Sequence, residues 1–80
     1  MKLSDNAEEI LEALWIAVEE KHLSALDPQF AGVPVDDPAY KELAEQALIE
    51  IRKGMVYFRP EGREEGRMTI RRHRLAERLF

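Results

Sequence analysis

Cysteine is absent from the 80-residue sequence, and glycine and proline number only four each. Disulfides and thiolate-metal sites are therefore excluded, and any metal must be held by imidazole and carboxylate groups. The lack of cysteine fits a reducing compartment. No apolar run approaches the ~20 residues needed to cross a bilayer. Met1 to Asn6 lacks the cationic-then-apolar order of a signal peptide. The expectation is a cytoplasmic protein with no membrane segment. Enzyme signatures are also missing: there is no Gly-rich phosphate loop, no G-x-S-x-G elbow and no H-E-x-x-H. Ser4 and Ser24 have no histidine and carboxylate in a recognisable arrangement, so a non-enzymatic role is expected. Internal repeats and low-complexity tracts are lacking as well.

What the sequence does hold is unevenly distributed charge. The net charge is −4. Residues 1–50 carry three lysines against twelve carboxylates, a local charge of −9, and residues 51–80 carry nine Lys and Arg against four glutamates, a local charge of +5. One reading is an acidic front and a basic contact surface, the footprint of a polyanion-binding domain. The other is that acidic and basic helices attract each other within the fold. Eighty residues make one small domain, which buries only about 60% of its unfolded surface and gains from a partner, a metal or a second domain.

Apolar periodicity predicts three helices. Ile10, Leu11, Leu14, Trp15 and Val18 form a stripe over residues 5–21, with Asp5 and Glu8 in a capping-box arrangement and Trp15 as a core anchor. His22 is expected near the end of this helix, where a cation suits the dipole. Pro28, Gly32 and Pro34 then break the pattern; Leu26, Phe30, Val33 and Val35 are expected to pin the loop to the core. Asp37-Pro38 is a strong helix start. Tyr40, Leu43, Ala44, Ala47, Leu48 and Ile51 extend the second helix over residues 38–53, to a stop at Gly54. Met55–Phe58 has strand character. Pro60 opens a third helix over residues 61–80, with Met68, Leu75 and Leu79 on one side and Gly62 and Gly66 weakening its start. No C-cap precedes Phe80, so the native sequence is expected to continue.

The spacing that carries chemistry is His73-x-x-x-Glu77. Four residues apart on a helix, the two side chains share a side and suit one divalent ion with mixed nitrogen and oxygen ligands. Glu9 and Glu12 are a second pair, three apart in the first helix. Either pair alone is usually surface charge; they gain meaning together if the first and last helices pack side by side.

The run Arg71-Arg72-His73-Arg74-Leu75-Ala76-Glu77-Arg78-Leu79-Phe80 resembles the diphtheria-toxin-repressor family of iron- and manganese-dependent regulators. There, a similar R-K/R-H-R-L-x-E stretch begins the metal-binding and dimerisation domain. Phe58-Arg59-Pro60-Glu61-Gly62-Arg63-Glu64 is similar to the segment leading into that helix, and Gly54-Met55-Val56 to the start of the wing strand. The resemblance is clear over residues 54–80 and weaker over the first helix. It implies a mainly α fold: a winged-helix-like three-helix domain with a short, reduced wing. Residues 1–59 would form the DNA-binding-type domain, and residues 60–80 the linking helix. It also implies His73, Glu77, Glu9 and Glu12 as metal ligands, with iron or manganese as the cofactor of the full-length protein. Duplex DNA and a second copy in a homodimer are the implied partners.

Two departures from the family pattern bear on function. The second helix opens with Asp36, Asp37, Glu42 and Glu45, which repel phosphate. Only Arg59 separates the Met55–Phe58 run from Pro60. Weak, sequence-independent DNA contact is therefore expected through Arg52, Lys53, Arg59 and Arg63 rather than through the second helix. The readings that follow are a metal-dependent transcriptional repressor, divergent from the family, or a winged-helix scaffold that binds protein instead of DNA.

Overall fold

The computed structural model describes residues 2–78, with the side chains of residues 2–75. Three helices and one antiparallel hairpin follow in the order α1 (Asp5–Trp15), α2 (Pro38–Glu45), β1 (Ile49–Arg52), β2 (Met55–Phe58) and α3 (Pro60–Arg78). This mainly helical architecture with a two-stranded hairpin is compatible with a small winged-helix-like domain.

The first helix begins one residue earlier in its cap than expected. Ser4, not Asp5, is the N-cap, its hydroxyl accepting from the Ala7 amide at 3.2 Å. Asp5 and Glu8 instead occupy the first turn, where their charge suits the positive helix end. After Trp15 the helix widens into a π turn, Ile16–Glu20, closed by the Lys21 amide on the Ile16 carbonyl at 2.9 Å. The inward stripe of α1 is Ala7, Ile10, Leu11 and Leu14. Trp15, expected as the core anchor, is only half-buried.

Residues 21–37 contain one short 3-10 turn, Pro28–Phe30, started by Asp27. Leu26 and Val33 are buried as expected, but Phe30 is 74% exposed and Val35 71%. Leu26 pins the loop through paired backbone hydrogen bonds to Val56, both 2.9 Å. Tyr40 pins it again, donating its hydroxyl to the buried Val33 carbonyl at 2.8 Å.

The second helix is shorter than its periodicity implies. Asp37 caps it and Pro38 opens it, as expected, but it ends at Glu45 rather than at residue 53. Ala47 takes a left-handed φ of 59°, and the chain reverses into β1. Ile49-Glu50-Ile51-Arg52 alternates apolar and polar residues and pairs with Met55–Phe58, Ile49 opposite Phe58 and Arg52 opposite Met55. Lys53 and Gly54 form the turn, with φ of 51° and 79°. Two positive φ values in a two-residue loop are the hairpin solution whose twist matches that of the strands. The wing is thus short but has two full strands, and its first strand comes from residues expected to be helical.

The inward face of α3 also differs from expectation. Met68 and Leu75 point outward, 43% and 53% exposed, while Gly62, Gly66, Thr69 and Ile70 are buried. The two glycines are there for space. A Cβ on Gly62 would lie 1.6 Å from the Leu48 carbonyl oxygen, and one on Gly66 would lie 2.9 Å from the tip of the Phe58 ring. They allow α3 to lie directly on the base of the hairpin and against α1. Ile10, Leu11, Leu14, Leu43, Ile49 and Val56 fill the centre between them.

Candidate functional site

The packing of α3 on α1 brings His73 to the acidic face of α1. Its Nδ1 is 2.5 Å from Glu12 Oε2, and its Nε2 is 3.4 Å from Glu8 Oε1. Glu8 and Glu12 are one turn apart on the same face. The Arg72 guanidinium adds a contact to Glu8 at 3.5 Å. The hydrogen bond that Glu12 accepts from the imidazole raises the His73 pKa above 6.5; partial burial opposes this, and Glu8 adds to it. When protonated, His73 can hold the two helices together through two carboxylates.

Of the residues singled out in sequence, His73 and Glu12 meet. Glu9 lies round the helix from them and is exposed; its carboxylate is 3.7 Å from where a Cβ of Gly32 would stand. Glu77 falls on α3, but its side chain lies outside the described residues. The third group at His73 is Glu8, which the sequence reading assigned only to helix capping. Its four-residue spacing from Glu12 was the available signal. An imidazole facing two carboxylates suits a divalent transition ion in donor type. Among the described residues, no group of three or more His, Asp or Glu is arranged to hold a metal. His73 and Glu12 thus fit as part of a ligand set.

The basic residues divide into two groups. Several on α3 are engaged with acidic partners. Arg63 makes a two-pronged contact with Glu19 at 3.0 and 2.8 Å, which lowers the Glu19 pKa and raises that of Arg63. Arg74 bonds Glu20, and Arg67 bonds Glu64 at 2.6 Å. Much of the charge segregation in sequence is therefore satisfied between the helices. The other group belongs to the hairpin. Arg52 lies over the Tyr57 ring at 4.1 Å and contacts Glu50 at 3.2 Å. Lys53 occupies the exposed turn beside it. Arg59 is exposed at the opposite end of β2, its amide bonded to the Leu48 carbonyl at 3.1 Å. The four candidates for phosphate contact thus do not form one patch: Arg52 and Lys53 share the tip, Arg59 sits at the base, and Arg63 is paired.

The acidic start of α2 is built into the fold. Asp37 accepts from the Ala39 amide and from Asn6 Nδ2, both at 2.9 Å. Glu42 accepts from the Ser4 amide at 3.0 Å and from its hydroxyl at 2.7 Å. These carboxylates fasten α2 to the start of α1. No family model matches the chain, and no curated protein or solved structure matches it either.

Proposed function

We propose that this chain is the winged-helix-like part of a metal-dependent, DNA-binding transcriptional regulator, divergent from the diphtheria-toxin-repressor family that it resembles. The observation that carries the reading is the meeting of His73 with Glu12 across two helices far apart in sequence. A regulator of this kind needs an effector site at a junction between elements, so that occupancy favours one arrangement over another. His73 and Glu12 with a further carboxylate from Glu77 would hold iron or manganese, Glu9 lying round the helix from them. The ion would supply positive charge between the carboxylates. In the full-length protein the reading includes a cytoplasmic homodimer without catalytic activity.

DNA contact in this proposal runs through the hairpin. Arg52 and Lys53 at its tip and Arg59 at its base would meet phosphates, which position a protein without reading sequence. Arg63, engaged with Glu19, contributes less than these three. A second reading, a protein-binding module on the same scaffold, is favoured by the carboxylates at the start of α2 and by the internal pairing of the α3 arginines. A salt titration separates the two. Binding to a short DNA duplex should weaken steeply with salt and should drop in the Arg52, Lys53 and Arg59 to Ala variant. Absence of duplex binding even at low salt would favour the module. For the metal, calorimetry with Mn or Co should give weak binding, abolished in His73→Ala; tight binding that survives the substitution would overturn the site.

A further inference from the structure

One face of α1 has no helix against it. Glu9, Glu12, Ala13, Ile16, Ala17 and Lys21 succeed one another at helical spacing and form one wall of an open groove of about 830 Å³. Leu23 and Phe30 also line it, with Met55 and Tyr57 from alternate positions of β2. Leu23 is 52% exposed and Phe30 74%, so two large apolar side chains stand at the rim with little covering them. Such grouping of exposed apolar residues marks a contact surface, whereas the same residues scattered singly would not.

We propose that this groove is a docking site for a single amphipathic helix of a partner protein, about three turns long, with basic residues at one end and an acidic residue at the other. The length follows from α1 itself. Glu9 to Lys21, through α1 and the π turn that continues it, is twelve residue steps, about 18 Å at the α-helical rise. The charge follows from the two ends of the groove: the exposed Glu9 makes one end acidic, beside a Glu12 already engaged with His73, and Lys21 makes the other basic. The shape follows from the lining. Ala13, Ala17, Ala25, Ala31 and Gly32 are small residues among the lining, which leaves room for bulky side chains spaced three and four residues apart. An extended peptide is a poorer match, because strand addition needs a free backbone edge and Leu26 already pairs with Val56 beside β2. The groove shares its acidic end with the proposed metal site, through Glu9 and Glu12, but its apolar lining lies away from His73 and the hairpin tip.

Two synthetic sixteen-residue peptides with the same leucine stripe provide the test. One carries arginines in its first turn and glutamates in its last; its twin carries glutamates throughout. Binding is followed by amide chemical shifts of the labelled protein. The first peptide should shift the amides of Ala13, Ile16, Leu23 and Tyr57 and bind about tenfold more tightly than the twin. Phe30→Asp should weaken it about tenfold, and Lys21→Glu several-fold. Both residues are exposed, and circular dichroism checks that each variant is folded. Equal binding of the two peptides, shifts outside the groove, or no binding at millimolar peptide would overturn the proposal. So would self-association that Phe30→Asp abolishes, which gives the groove to a second copy of the chain. A dodecyltrimethylammonium ion that shifts these amides where the peptide does not would give it to a small lipophilic cation, and would equally overturn the proposal.

Discussion

Replacing Gly62 by alanine isolates the close approach of α3 to the hairpin. In an exposed helix the substitution would gain about 1 kcal/mol from helix propensity. Here the new methyl group would stand 1.6 Å from the Leu48 carbonyl oxygen and 2.5 Å from its carbon. Both are backbone atoms, so no rotamer change relieves the clash. The Leu48 carbonyl must retreat by more than 1 Å, on the order of half a van der Waals contact distance. That carbonyl accepts the Arg59 amide at 3.1 Å, and a retreat weakens this bond, worth about 1 kcal/mol. Overpacking strain adds about 1–3 kcal/mol. Set against the propensity gain, the net loss is about 1–3 kcal/mol, which lowers Tm by on the order of 10 °C in a domain of this size. Gly66→Ala is the internal control. It has the same propensity gain and the same effect on the unfolded chain, but its methyl meets the Phe58 ring tip at 2.9 Å, and a ring can tilt. Its stability should lie within about 1 kcal/mol of wild type. Thermal and urea melts of both variants measure the difference. A Gly62→Ala variant as stable as wild type would refute the packing argument.

Three further outcomes are expected. His73 has a folded-state pKa above its unfolded value near 6.5, so its stabilising effect is full below that value and is lost as pH rises through the folded pKa. Stability should therefore fall as pH rises above about 6.5 in wild type and stay flatter in His73→Gln, with the His73 pKa, read by NMR titration, dropping in Glu12→Gln. Tyr40→Phe removes the hydroxyl that donates to the buried Val33 carbonyl and should cost about 1–2 kcal/mol by urea melt, with the fold intact by circular dichroism. Lys53→Asn places a residue that tolerates left-handed φ at the first turn position and should raise Tm by a few degrees, roughly, while weakening duplex DNA binding.

Helix starts were legible because their signals are local. Asp37-Pro38 and Pro60 each begin a helix where the chain chemistry requires it. The end of α2 was not legible for an equally physical reason. Leu48 and Ile51 continue a helical spacing from Tyr40, while Ile49 and Ile51 alternate as a strand, and a short window satisfies both patterns. Pairing with residues 55–58 decides between them, and that partner lies across a turn. The role of the α3 glycines was hidden similarly: their helix penalty is local, but the space they provide exists only once Leu48 and Phe58 are in place. At the candidate site, the convergence of His73 with Glu12 was readable from helical spacing and a resemblance. Glu8 was missed because a difference of one residue rotates a side chain about 100° round the helix, and the crossing of α3 on α1 selects which carboxylate faces the imidazole.

The polar clasp at the start of α1 has a mechanical consequence. An eight-residue helix such as α2 is too short to persist by itself. Its orientation is set by the contacts from Ser4 to Glu42 and from Asn6 to Asp37, both within the opening turn of α1. The next turns of that rod carry Glu8 and Glu12, which grip His73. α1 therefore behaves as a rigid lever with two loads: a slide or tilt that loosens its grip on α3 must carry α2 with it. Hydrogen exchange should report this as one opening unit spanning the start of α1 and all of α2, with the hairpin protected separately.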